Sequence, residues 1–313
     1  KDQLDIAAEN GHVKAIVLRV NSGGGTATAG EEMSGPVFRE SLYFLQVSVI
    51  MKTDAGYRLW SRFVQADLSG GEKMKITYIH HSGVSVETEH AVLLFDYFKG
   101  QLPAWDEKKP LFVFASHFHE DHYSPVIFEL LEDREDVHYI LSKDIRGRRI
   151  PPRAEGKIRF VKPGEVFASA ADRGGITLRV QTYKSTDEGV AFWVTADGQE
   201  IYHAGDLNNW WWEGEDKAWN HNMAANYRRE VEKIAADHPE GADAAFIPLD
   251  PRQEQWFYLG MDDFLRRVKA ETVFPIHFWK DYTVVKKLRE LPCSEPYRSR
   301  IKEIEREGEE FEV

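Results

Sequence analysis

The stretch Ser-His-Phe-His-Glu-Asp-His occupies residues 116–122. Directly before it, residues 111–115 form a continuous apolar run, which predicts a strand buried on both faces. Three imidazoles and two carboxylates in this loop are hard to explain as packing, because a buried polar group without a partner costs roughly 1–3 kcal/mol. A divalent cation is the obvious partner, since imidazole and carboxylate suit zinc and also iron or manganese. The stretch therefore predicts a metal site at a strand end.

Three further segments place similar residue types beside predicted strands. Asp96 ends the apolar run 92–95, Asp206 closes the segment His-Ala-Gly-Asp at 203–206, and His277 lies in Pro-Ile-His-Phe at 275–278. Together with the ungapped His-x-His-x-Asp-His pattern, these segments resemble, in order, the motifs of the metallo-β-lactamase superfamily. The resemblance covers about residues 74–290.

The resemblance implies a role for each matching residue. It implies two metal pockets, with His117 and His119 in the first and Asp121, His122 and His277 in the second. Asp206 would bridge the two metal ions, and Asp96 would be structural. Asp121 and Asp206 are the catalytic candidates, and Asp121 would also orient an attacking hydroxide. The implied cofactor is one or two divalent ions, zinc first, with manganese or iron as alternatives.

One departure from the family pattern concerns the first pocket. The family usually supplies a third histidine between the first cluster and the bridging aspartate, but the corresponding residues 183–189 contain none. Three alternatives remain open. Asp187 or Ser185 substitutes as a ligand, water completes the shell, or only the second pocket is well filled.

Aromatic side chains flank the predicted site. Trp210, Trp211 and Trp212 directly follow the bridging-aspartate motif, and three consecutive tryptophans cannot all point into one core. We expect a substrate-pocket role for at least one of them or for Trp279, with packing under a loop as the alternative. His80 and His81 lie on the first predicted hairpin, where pocket lining or an ordinary surface position is expected rather than metal binding.

The succession of predicted elements defines the fold class. A loop at residues 69–73 separates an N-terminal extension, 1–73, from a main domain, 74–313, that begins with an alternating strand. Many strands with sparse, interspersed helices predict two packed sheets flanked by helices. The expected class is therefore α/β (α+β), specifically a four-layer αββα sandwich of two mixed sheets. The chain would carry an N-terminal βα-type extension.

The N-terminal segment carries a second, weaker resemblance. Residues 13–25, a strand followed by a glycine-rich turn, are similar to signal-peptide-peptidase-type serine proteases. In that family the turn offers backbone N–H groups to an oxyanion. The later serine turn and the lysine region of that family have no counterpart here, so we interpret residues 1–73 as a fused or partial segment without protease activity.

Composition restricts the partners. The net charge of −12 disfavours nucleic acid, which repels an acidic protein. No apolar run reaches the roughly 20 residues that a membrane-spanning helix needs. The single Cys293 fits a reducing compartment, and we expect a cytoplasmic protein of undetermined oligomeric state. The acidic end, residues 303–312, is expected to be a solvated helix end or tail.

These observations favour a metal-dependent hydrolase. Its metal-bound hydroxide would attack a small-molecule ester, lactone, amide or phosphodiester. A nuclease or phosphodiesterase of the same fold, an iron-dependent oxygenase on the same scaffold, and a non-catalytic metal- or ligand-binding module are the alternatives.

Overall fold

The computed structural model describes residues 73–148, 150–171 and 175–313 and, before them, the backbone of three strands. The chain divides into two units, Lys1–Glu72 and Lys73–Val313. The strands of the first unit, β1 (Val13–Ser22), β2 (Tyr43–Thr53) and β3 (Gly56–Ala66), form an antiparallel sheet in that order. The glycine-rich turn at 23–25 and residues 69–72 of the predicted loop lie outside the described residues.

The first sheet of the second unit has seven strands in the order β16-β4-β5-β6-β7-β8-β9. Neighbours are antiparallel from β16 to β6 and parallel from β6 to β9. The bounds are β4 (Lys75–His80), β5 (Gly83–Glu87), β6 (Val92–Phe95), β7 (Leu111–Ala115), β8 (Val137–Ser142), β9 (Ile158–Val161) and β16 (Glu309–Glu312).

The second sheet has six strands, β10 to β15, in chain order. Neighbours are antiparallel from β10 to β13 and parallel from β13 to β15. The bounds are β10 (Val166–Ala170), β11 (Thr177–Lys184), β12 (Val190–Ala196), β13 (Gln199–His203), β14 (Ala242–Pro248) and β15 (Ala270–Ile276). Both sheets are mixed, as the sequence predicts.

Four α-helices complete the layers among the described residues: α1 (Ile127–Leu130), α2 (Lys217–Asp237), α3 (Leu259–Leu265) and α4 (Thr283–Glu290). The longest, α2, begins after Asp216, whose carboxylate accepts a hydrogen bond from the Trp219 N–H at 2.7 Å and caps the helix. Its residues Tyr227, Val231 and Ile234 join the main core.

Alternation along the strands explains the layering. In β6, Leu93 and Phe95 belong to the core between the sheets, whereas Val92 and Leu94 belong to a second core on the other face, with α1. Because successive side chains of a strand point to opposite faces, an all-apolar strand is buried from both sides. The predicted αββα sandwich is therefore confirmed.

The acidic end of the chain differs from its prediction. Instead of a solvated helix end or tail, residues 309–312 form β16, which pairs antiparallel with β4. Phe311 packs against the main core, and the Glu307 carboxylate lies 2.7 Å from the His80 Nδ1 atom. Alternation of acidic and apolar residues at an edge strand lets the carboxylates face water while one aromatic ring is buried.

Helix bounds also differ from their predictions. The sequence pattern predicts helices over 125–132 and 226–237. The first is only the four-residue α1, and the second begins nine residues earlier, at Lys217. No helix of the described residues has the length and apolar character to cross a bilayer.

Candidate metal centre

The loop at 116–122 leaves β7 and is braced by Asp96, which leaves the neighbouring parallel strand β6. The two carboxylate oxygens of Asp96 accept hydrogen bonds from the Ser116 backbone N–H at 2.7 Å and the Ser116 hydroxyl at 2.6 Å. The His122 Nδ1 atom lies 2.8 Å from Asp96 Oδ2. Asp96 is fully buried and thus holds the loop from beneath.

The charge of Asp96 survives burial because imidazoles surround it. Burial alone would raise the pKa of the Asp96 carboxyl, but the nearby rings of His203 and His122 outweigh burial and hold that pKa below its ordinary value. An ionised Asp96 accepts a hydrogen bond from the Nδ1–H of His122, which turns the His122 Nε2 atom toward the loop interior.

A group of four side chains lies on one side of this interior: His81, Asp121, His122 and His277, whose ligand atoms are all within 4.8 Å of one another. His277 follows β15, and its Nδ1 atom lies 3.0 Å from the Asp250 carboxylate, which follows the neighbouring β14. Asp250 therefore orients His277 in the way that Asp96 orients His122. We call these four residues the second group.

A smaller group lies beside it. Its members, called here the first group, are His117, His119 and Asp206, again within 4.8 Å of one another. Asp206 belongs to the turn after β13, and its Oδ2 atom lies 3.5 Å from His117 Nε2. The His117 Nε2 and His119 Nδ1 atoms are 3.0 Å apart. Two nitrogen lone pairs this close are comfortable only if a proton or a metal ion lies between them.

Asp206 also reaches the second group. Its Oδ1 atom lies 3.1 Å from His122 Nε2 and 3.3 Å from His277 Nε2. Neither Asp206 Oδ1 nor His122 Nε2 has an aligned hydrogen bond among the described residues, although both are buried. Buried polar atoms that converge without bonding each other are what a cation site requires, so the residues fit a bound metal ion. Asp206 thus lies between the two groups, with one carboxylate oxygen near each.

The third-histidine region contributes less directly. The loop after β11 places Ser185 in a buried position and Asp187 in an exposed one, and neither is a member of the first group. Burial and the Asp206 charge raise the pKa of the Asp187 carboxyl, so it lies within electrostatic reach of the centre. The Ser185 hydroxyl accepts a hydrogen bond from the Asp187 backbone N–H at 3.1 Å, which holds the loop in a local turn.

The four tryptophans lie in different surroundings. Trp210 is buried, its ring centroid is 5.3 Å from that of His277, and its indole N–H donates to the Asp206 carbonyl at 2.9 Å. Trp212 stacks on Trp210, while Trp211 packs against His221 and Trp256. Trp279 lies 4.1 Å, centroid to centroid, from His81. Trp210 and Trp279 are thus the two that contact histidines of the centre.

Sequence reasoning missed two residues. His81 was expected to line a pocket or lie at the surface, yet it is fully buried within the second group. Asp250 went unremarked, although it directly follows a buried strand, the same signal that singles out Asp96. The position of His81 depends on the approach of two distant loops, since the His277 backbone N–H donates to the His81 carbonyl at 3.1 Å.

Backbone conformation also concentrates at this centre. His81, Asp96, His277 and Trp279 all have positive φ angles, between 43° and 65°. Residues other than glycine rarely adopt this region, and such strain clusters at sites where the surrounding structure imposes it for function.

Comparisons with known proteins agree with this architecture. Residues 75–218 match the family model described as a β-lactamase superfamily domain. A metallohydrolase from the archaeon Ignicoccus hospitalis is 16% identical, with a TM-score of 0.52 over 77% of this chain and 98% of its own. A protein named as a metal-dependent hydrolase, from Parabacteroides distasonis, is 16% identical, with a TM-score of 0.50 over 84% and 99%.

The β-hydroxylase CmlA of Streptomyces venezuelae, in a mutant form, is 10% identical, with a TM-score of 0.52 over 94% of this chain and 76% of its own. At such identities the solved structures show the fold alone. The match of the family model adds the sequence motifs to that likeness. Residues 73–313 therefore have the metallo-β-lactamase fold, and residues 75–218 within them match the β-lactamase superfamily model.

Proposed function

We propose that this domain is a metal-dependent hydrolase acting on a small molecule that contains an ester, lactone, amide or phosphodiester bond. The observation that carries the proposal is the convergence of two ligand groups joined by one carboxylate, Asp206. We assign His117 and His119 to a first ion and Asp121, His122 and His277 to a second. A divalent ion held there supplies a hydroxide nucleophile near neutral pH and stabilises developing negative charge.

The chain's own residues would position the reacting groups. Asp121 is only partly buried, and the charges of His122 and His277 help to hold the pKa of its carboxyl below the ordinary value despite burial. An ionised, accessible carboxylate at the edge of the second group can accept the proton of an attacking water and orient its oxygen. Asp206, buried between the groups, keeps both sets of imidazoles aligned on one point.

An open cavity borders the loop at 185–189, next to the candidate centre. Its volume is about 500 Å³, within the range of small-molecule sites. None of the assigned metal ligands lines this cavity, but Asp187 in its wall lies within electrostatic reach of Asp206 and His119. Lysines and carboxylates alternate around its wall, so its charge is balanced: Lys143, Asp144, Lys162, Lys184, Asp187 and Glu188. The mixed wall favours a substrate with both polar and charged groups over a long polyanion.

We propose zinc as the resident metal and the cytoplasm as the compartment. Imidazole and carboxylate donors without a thiolate suit zinc, and the single cysteine, Cys293, is not part of the centre. Elemental analysis of the purified protein tests the first point. Iron as the main metal would favour the oxygenase alternative, and manganese would leave hydrolysis in place.

The test of the function is turnover that depends on the metal. Protein stripped by chelator and then reloaded with zinc or manganese is assayed against a panel of generic esters, lactones, amides and phosphodiesters. We expect activity on at least one class, lost on stripping and restored on reloading. Activity that survives stripping would contradict the mechanism. A protein that binds metal stoichiometrically but turns over nothing in the panel would favour the non-catalytic module.

A further inference from the structure

The turn between β4 and β5 carries a histidine, His81, whose ring enters the candidate centre from outside the four segments quoted in the sequence analysis. His81 is fully buried at a φ of 57°, and its ring centroid lies 4.2 Å from that of His277. Its buried Nε2 atom lies 3.4 Å from Asp121 Oδ2 but is not aligned with it as a hydrogen bond. Distance alone would allow His81 to be either a metal ligand or a hydrogen-bond donor.

The other ring nitrogen distinguishes the two roles. The backbone N–H of Trp279 donates to His81 Nδ1 at 3.3 Å, so Nδ1 carries a lone pair. A neutral imidazole has one N–H, and here that proton must therefore be on Nε2. A nitrogen that carries a proton cannot bind a metal ion. His81 Nε2–H instead faces the carboxylate of Asp121.

His122 and His277 show the opposite arrangement. Their Nδ1–H groups donate to the carboxylates of Asp96 at 2.8 Å and Asp250 at 3.0 Å, which directs Nε2 toward the metal position. Of the three imidazoles in the second group, those of His122 and His277 therefore present Nε2 as a metal-binding atom, and that of His81 presents Nε2–H as a hydrogen-bond donor. The division is set by what lies behind each ring: a carboxylate for two of them and a backbone N–H for the third.

We propose that His81 is a positioning residue that donates its Nε2–H to one oxygen of Asp121, so that the other oxygen is directed at the second metal ion. The inference rests on the proposed function in one respect, which is what the second metal ion does. The donor itself is a property of the loops at 80–81 and 277–279, which meet whether or not a substrate is present. Loss of the donor would leave Asp121 free to rotate and would weaken the second group.

The first test reads the tautomer directly. Histidine-labelled protein is observed by ¹⁵N nuclear magnetic resonance, metal-free and zinc-loaded, with His81 assigned by its absence in His81→Gln and by through-space contact with Trp279. We expect His81 to have a protonated Nε2 and an unprotonated Nδ1 in both states, and zinc-loaded His122 and His277 to have the reverse. A zinc-loaded His81 with a metal-bound Nε2 would overturn the proposal. This readout does not depend on turnover, so failure of the proposed hydrolase activity would not affect it.

The second test compares His81→Leu with His81→Gln, whose terminal amide can still donate near the Nε2 position. We expect His81→Leu to weaken metal binding at the second group by roughly 10–100-fold, as loss of an outer partner does, and His81→Gln to recover most of that loss. Zinc affinity is measured by chelator competition, and the cobalt-loaded absorption spectrum reports coordination number. His80→Gln is the matched control, because the His80 ring faces Glu307 instead.

Two results would count against the donor role. A reduced coordination number in both variants would show that His81 is a ligand. Unchanged zinc affinity in a folded His81→Leu protein would show that Asp121 needs no donor. Thermal unfolding of each variant establishes that the comparison is made on folded protein, and the tautomer measurement on the unmodified chain stands if a variant does not fold.

Discussion

The two halves of the candidate centre differ in what supports their imidazoles. In the second group, His122 and His277 each contact a buried carboxylate directly, Asp96 or Asp250. In the first group, His117 Nδ1 lies 3.0 Å from the Ser116 hydroxyl, which itself donates to Asp96. A carboxylate behind an imidazole fixes its tautomer and raises its basicity more than a hydroxyl does. We therefore expect the second group to bind metal more tightly than the first.

The largest effect is expected where the two halves meet. Asp206→Ala removes one member of the first group and also the carboxylate oxygen that lies 3.1 Å from His122 Nε2 and 3.3 Å from His277 Nε2. We expect loss of both metal ions and of turnover. The fall in metal affinity should exceed the roughly 10–100-fold reduction that follows loss of a carboxylate that only supports a ligand. Metal content per chain and steady-state rates measure this. Asp133→Ala, at an exposed position, is the control, and retention of metal and turnover by the Asp206 variant would refute the bridging role.

Removing one supporting carboxylate should separate the halves. Asp250→Asn keeps the shape of the side chain but removes the negative charge that accepts the hydrogen bond from His277 Nδ1–H. We therefore expect metal binding to weaken by roughly 10–100-fold, at the second group alone. Chelator competition resolves the two affinities. Asp250 also pairs with Arg252, so Arg252→Ala is the matched control. An equal loss in both variants would show that the effect does not pass through His277.

The halves should also differ in their response to pH. Burial alone lowers the pKa of His122, but the carboxylates of Asp206 and Asp96 outweigh burial and raise it well above the ordinary value. Burial lowers the pKa of His117 to about 4. At neutral pH the metal-free protein thus holds a proton on His122 and none on His117. Metal must displace the His122 proton, so affinity at the second group should rise about tenfold per pH unit below that pKa.

Calorimetric titration in two buffers of different protonation enthalpy counts the protons released. We expect about one proton with the first equivalent of metal, which enters the second group. Little further release is expected with the second equivalent, because His117 is already neutral. A first equivalent that releases no proton would contradict the assignment of the charged imidazole to His122.

Part of this centre could be predicted from sequence because of sheet geometry. The motif residues each follow a strand, and Asp96 and the 116–122 loop leave two parallel neighbours, β6 and β7, whose carboxyl ends meet at one edge. Asp206, Asp250 and His277 follow β13, β14 and β15, which are parallel neighbours as well. Strand order and polar residues at strand ends are both visible in a sequence with family motifs.

The rest depends on contacts that no local pattern encodes. His81 belongs to the centre only because the turn after β4 meets the 277–279 loop through two backbone contacts. A run of acidic residues predicts a tail, whereas β16 forms with one partly buried aromatic residue, Phe311, at the open edge of β4. In both cases the deciding partner is about 200 or more residues away, beyond the reach of periodicity or local charge.

A smaller effect should appear at the loop that covers the first group. Gly189 has a φ of 69°, and an added Cβ there would collide with the Ser116 carbonyl and the His117 Cβ. Gly198 has a φ of 79° and open space around it. Both Gly→Ala changes place an alanine in the left-handed region, which should lower the free energy of unfolding by roughly 1–2 kcal/mol. Only Gly189→Ala should also displace the loop and lower metal occupancy at the first group. Thermal unfolding and metal stoichiometry give the comparison, and equal results for the two variants would exclude the collision as a cause.

The smallest effect is expected from Asp187→Asn, which tests how the first group is completed. Asp187 is exposed and lies outside that group, yet the Asp206 charge and burial raise the pKa of its carboxyl. If water fills the remaining ligand position, the variant should weaken binding of the second equivalent of metal by less than about tenfold, the smallest effect expected from losing a hydrogen-bonded outer partner. Binding of the first equivalent should not change. Complete loss of the second equivalent would instead show that Asp187 turns inward as a ligand. The weaker metal binding of the first group would then result from the flexible Asp187 carboxylate, which would stand where the family pattern has a fixed histidine.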